Sequence, residues 1–106
     1  MKQVTAELLQ EIVRRLVETL HPEQIILFGS HAYGQPNEDS DVDLLVIVSE
    51  SDEPSYRRAQ TAHGALWGIG VPKDVIVMTR NEVDRSVRVK TSLVHQALAQ
   101  GKVLYG

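Results

Sequence analysis

A small α/β (α+β) domain, with helices packed against a short mixed sheet, is the fold class this sequence predicts. Three observations predict it. The N-terminal segment repeats apolar residues at three- and four-residue spacings, and three short runs, "QIILF", "DLLVIV" and "DVIVM", are apolar and rich in β-branched residues. Helix-periodic segments fill the intervals before, between and after those runs. At 106 residues, 42% hydrophobic and 24% charged, the chain is the size of one globular domain with one core, so residues 1–106 are read as a single domain.

The first helix carries Leu8, Leu9, Ile12, Val13, Leu16, Val17 and Leu20 on one stripe, with Glu7, Glu11, Arg14, Arg15 and Glu18 between them. Thr5 is its expected N-cap, and Pro22 closes it off. "QIILF" and "DLLVIV" follow as strands; their continuous apolar character indicates cover on both faces. Between the second and third strands, Tyr56, Ala59, Ala62, His63, Leu66 and Trp67 fall at helical spacing and lead to a glycine-rich exit. "DVIVM" is the third strand. A last helix is expected over "NEVDRSVRVKTSLVHQALAQG", capped by Asn81 and stopped by Gly101, and "KVLY" adds a terminal strand or packs on that helix.

Charge and composition exclude several functions. A formal net charge of -3 argues against a broad electrostatic grip on nucleic acid, so a polyanion must be held locally or through metal ions. There are no cysteines, which removes disulfides and thiolate metal sites. No apolar run approaches the ~20 residues a membrane span needs, and the N-terminus lacks a signal peptide's unbroken apolar stretch. A cytoplasmic protein with no membrane contact is the expectation.

The chemistry-bearing stretch is "FGSHAYGQPNEDSDVDLLV". Strand alternation puts Asp41 and Asp43 on one face and Val42 on the other. Paired carboxylates repel unless a cation sits between them, and hard oxygen ligands favour Mg²⁺ or Mn²⁺. Asp74 opens the next strand, where adjacency would bring a third carboxylate to the same site. Such a trio can hold two ions about 3.5–4 Å apart, suited to in-line displacement at phosphorus. Glu38 and Asp39, in the loop ahead, do not share that face.

Gly29 allows a sharp turn after the first strand, so that the N–H groups of Ser30 and His31, and the Ser30 hydroxyl, can approach phosphate oxygens. A short helix beginning at "SHAYG" would favour an anion there as well. No Gly-Lys-Ser/Thr follows, so this is not a Walker A loop. Each feature alone has an ordinary reading: a plain turn, a loop of acids, a solvated Asp74. For His31 a solvent-facing role stays open. His21, His63 and His95 lack metal-ligand spacing, and Arg57, Arg58, Arg85 and Arg88 read as solvated helix faces.

The pairing of Gly-Ser with Asp-x-Asp before an apolar strand resembles the signature of the DNA polymerase beta nucleotidyltransferase superfamily. The whole chain is similar to its smallest members, the minimal nucleotidyltransferases, in its first helix, its third Asp and its ending "GKVLY". That resemblance implies a polymerase beta-like fold, with Gly29 and Ser30 holding the triphosphate of ATP, Asp41, Asp43 and Asp74 catalytic and metal-binding, and Asp74 assisting the attacking hydroxyl. It also implies an antitoxin that transfers AMP to a tyrosine of a partner HEPN ribonuclease toxin. His31 and Tyr33 stand where relatives often have arginine. Two other functions remain open: a non-catalytic antitoxin that covers its toxin, and transfer to a small molecule such as an aminoglycoside, for which the chain has little room.

Overall fold

The computed structural model describes residues 4–36 and 40–106. Five helices and four strands run in the order α1 (Ala6–Leu20), β1 (Gln24–Phe28), α2 (Ser30–Tyr33), β2 (Val42–Val48), α3 (Ser55–Ala65), β3 (Lys73–Thr79), α4 (Arg80–Ser86), α5 (Leu93–Gln100) and β4 (Lys102–Tyr105). The sheet order is β3-β2-β1-β4. β1 pairs antiparallel with both β2 and β4, whereas β2 and β3 are parallel. The sheet is therefore mixed, as expected, and α3 is the crossover that a parallel pair requires.

Alternation along the strands divides the core into two layers. Ile25, Leu27, Val42, Leu44, Val46, Val75 and Val77 pack with Ile12 and Leu16 of α1 and Ala62 of α3. On the opposite face Ile26, Phe28, Leu45 and Ile47 pack with Val83 of α4 and Val94 and Ala97 of α5. Cover on both faces explains why the central strands read as unbroken apolar runs. No helix among the described residues is long and apolar enough to cross a membrane.

Thr5 caps α1 as expected, its side chain accepting from the Leu8 N–H at 3.1 Å. The expected helix over residues 81–101 is instead two. Thr79, not Asn81, caps α4 through a reciprocal capping box with Glu82, and Ser92 starts α5 by accepting from the His95 N–H. Between them the β-branched Val87, Val89 and Thr91 weaken helix propensity, and Ser92 offers the chain a fresh start.

The phase of α3 also differs from expectation. Its buried residues are Arg58 and Ala62, while Tyr56, His63 and Trp67 face outward. Arg58 is not on a solvated face: its guanidinium donates to Glu82 at 2.7 and 3.1 Å, to the Val77 carbonyl at 2.9 Å and to the Glu53 carbonyl at 3.0 Å. Four acceptors, two of them backbone carbonyls, replace the water that a buried guanidinium gives up.

Candidate active site

The polar corner of the molecule follows from strand direction. β1 ends where β2 and β3 begin, so residues far apart in sequence meet at one end of the sheet. Phe28 lies opposite Asp43 in the antiparallel pair, and Asp43 lies opposite Asp74 in the parallel pair. All three project on the face covered by α4 and α5, because Ile26, Leu45 and Ile76, two residues further into the sheet, belong to that layer. The carboxylates of Asp43 and Asp74 are thus cross-strand neighbours. Asp41, exposed, comes just ahead of β2.

Asp43 is half-buried beside a buried phenylalanine, and its pKa is raised. Desolvation is the largest cause, followed by the charges of Asp74 and then Asp41, with His31 acting in the opposite direction. The site therefore holds more negative charge than it neutralises, which is the electrostatic condition for attracting a cation.

Gly29 turns the chain directly against this group. Its φ of 75° lies where side chains are disfavoured, and a Cβ there would overlap the Asp43 carboxylate. From that turn α2 starts at Ser30, and within α2 the first N–H groups, those of Ser30 and His31, have no acceptor. Gly34 ends α2 by donating to the Ser30 carbonyl at 3.1 Å, and a Cβ on Gly34 would lie 2.8 Å from Ser30 Cα. The Gly29 turn and the Asp43 carboxylate are consequently packed against each other.

The donor set suits a hard divalent ion, since it consists of carboxylates with no sulfur. Among the described residues, no three His, Asp or Glu side chains are gathered into a ready metal cage. The neighbouring carboxylates of Asp43 and Asp74 suit Mg²⁺, which commonly takes one or two carboxylates and completes its shell with water and substrate phosphates. Glu38 and Asp39 lie outside the described residues.

One residue carries more structure than the sequence indicated. The half-buried His31 places Nε2 3.2 Å from the Ser40 carbonyl oxygen. The other histidines behave as read: His95 bonds the Val87 carbonyl at 3.2 Å, and His21 and His63 are exposed.

Comparison with known proteins identifies the family and the fold. A candidate protein adenylyltransferase of Methanocaldococcus jannaschii is 36% identical over 50 residues, which are 47% of this chain and 50% of that protein. The chain thus spans about half the length of the curated relative it matches. Among solved structures, a candidate nucleotidyltransferase from Sulfolobus solfataricus superposes with a TM-score of 0.60 at 27% identity, covering 74% of this chain and 70% of that one. A toxin-antitoxin structure with AMP-PNP gives 0.58 at 26% identity, covering 92% of this chain and 73% of that one. The model of the nucleotidyltransferase domain family matches residues 7–98, from α1 into α5, and the chain belongs to that family.

Proposed function

We propose that this domain is an antitoxin that transfers AMP from ATP to a tyrosine hydroxyl on a partner HEPN-type ribonuclease toxin, in the cytoplasm. The observation that carries this reading is the register that sets Asp43 beside Asp74 and against the Gly29 turn. A nucleotidyltransferase needs a place for a triphosphate next to a place for cations, and the nearness of the turn to the paired carboxylates supports reading this corner as both.

In this reading Gly29 and Ser30 hold the triphosphate, and Asp41, Asp43 and Asp74 hold Mg²⁺ or Mn²⁺. A bound divalent ion would supply neutralisation of the triphosphate charge. The tyrosine oxygen bonds to the α-phosphorus while the bond from that phosphorus to the bridging oxygen of the β-phosphate breaks. The hydroxyl proton passes to Asp74, and pyrophosphate departs along the Gly29–Ser30 turn, whose donors meet the charge that develops on it. The likeness to the M. jannaschii candidate protein adenylyltransferase and to the toxin-antitoxin structure with AMP-PNP supports the protein acceptor and the adenine nucleotide respectively.

The test is the mass of the partner after the purified pair is incubated with ATP and Mg²⁺. Addition of one or more AMP units is expected, and none with the Asp41→Asn/Asp43→Asn double variant. A partner silenced equally by that double variant, with no mass change in either case, would establish occlusion in place of transfer.

A further inference from the structure

The turn and the acidic strand are joined by a connection that begins in α2 and ends at Ser40, the residue before Asp41. Two contacts fasten its ends to each other. The Gly29 backbone lies against the Asp43 carboxylate, and the His31 ring reaches Ser40. The second contact fixes one nitrogen of the ring. A carbonyl oxygen only accepts, so Nε2 carries the proton, and in the neutral ring Nδ1 remains as an acceptor. With its Nε2 donor committed to Ser40, that nitrogen is not available to a phosphate oxygen. Its effect is on the backbone from which Asp41 projects.

We propose that His31 is a positioning residue: its hydrogen bond to the Ser40 carbonyl fixes Asp41 relative to the Gly29–Ser30 turn. The inference rests on the reading of Asp41 as an ion-binding acid and of the turn as the phosphate site. Asp41 is exposed and precedes β2, so the strand ladder alone does not hold it as it holds Asp43. A catalytic group displaced by about 1 Å can lose on the order of a hundredfold in rate. A tie one residue away from Asp41 is therefore worth more to the reaction than its contribution to the fold suggests.

Three variants separate this role from direct phosphate contact. His31→Phe keeps a ring and removes the donor, His31→Gln places an amide N–H within reach of the same carbonyl, and His31→Arg restores a cation without reproducing the ring. The expected result is a fall in kcat on the order of tenfold or more for Phe. Recovery to within about threefold is expected for Gln. A second readout needs neither nucleotide nor partner. In the nucleotide-free wild-type chain, ¹⁵N NMR should show the Nε2–H tautomer, and the Asp41 amide should have the order of a rigid backbone. That order should drop in His31→Phe and return in His31→Gln.

A wild-type ring found as the Nδ1–H tautomer, or an Asp41 amide equally ordered in the Phe variant, would overturn the proposal. Arginine alone restoring kcat would also overturn it, in favour of a phosphate contact. Absence of AMP transfer in the wild type, with the NMR behaviour as described, would instead defeat the functional reading and leave the tie in place.

Discussion

Asp43 is held where ionisation is unfavourable. Its folded pKa is raised, so the folded state binds the proton more tightly than the unfolded chain does. The penalty of the charge is fully present above the folded value and vanishes as pH falls below the ordinary aspartate value near 3.9. Asp43→Asn is accordingly expected to stabilise the metal-free chain at pH 7 by about 0.5–2 kcal/mol while abolishing transfer. Thermal melts at pH 7 and pH 3 check the sign: the gain should be present at the first and shrink at the second. Ser30 makes a complementary prediction. In the proposed site its hydroxyl is one donor to a charged phosphate, a bond worth about 1.5–3 kcal/mol, so Ser30→Ala should raise the KM for ATP by about ten- to a hundredfold. Unchanged kinetics would reduce Ser30 to a turn residue.

At the scale of elements, the junction of α3, β3 and α4 depends on one ion pair. Arg58 ties α3 to the Val77 carbonyl of β3 and to Glu82, and Glu82 in turn accepts from the Thr79 N–H at 2.8 Å. The Arg58 hydrogen bonds, followed by the Thr79 backbone, lower the Glu82 pKa to about 2. Since the folded value is depressed, the contribution of Glu82 is complete above the unfolded glutamate value near 4.3 and is lost as pH falls toward 2. Arg58→Ala strands the Val77 carbonyl and a partly solvated carboxylate, and should cost about 3 kcal/mol at pH 7. It should also flatten the stability profile between pH 4 and pH 2, which urea midpoints across that range would show. This tie was not legible beforehand: "SYRRAQ" gives no sign of which arginine faces inward, because the acceptors Val77 and Glu82 arrive only with the crossover. The break between α4 and α5 was partly legible, through the β-branched run and Ser92, but the apolar spacing of Val83, Val87 and Val94 masked it.

For the whole molecule, what could be read in advance depended on sequence distance. Asp43 was legible on one strand face because alternation is local, although β2 begins at Val42 and leaves Asp41 ahead of the ladder; Gly29 was legible because a turn had to follow a strand. The alignment of Asp43 with Asp74 was not derivable from spacing, since the crossover over residues 49–72 sets that register; the family resemblance supplied Asp74. The His31 bond to Ser40 spans a connection whose path the residue types do not determine.

The same end of the sheet carries Trp67, on the segment of residues 66–72 that feeds β3 and so leads to Asp74. Leu66, Ile69 and Val71 are buried and anchor this segment, yet Trp67, the chain's single tryptophan, is 84% exposed. An exposed tryptophan is the kind of side chain that dominates protein interfaces. If the proposed partner docks here, its addition should shift the tryptophan emission to the blue. Trp67→Ala should weaken docking by at least 2 kcal/mol, about thirtyfold, raising the KM for the partner while leaving kcat at saturation nearly intact. Emission and KM that both stay unchanged while AMP is still transferred would place the docking surface elsewhere on the molecule, with the chemistry at Asp43 and Asp74 untouched.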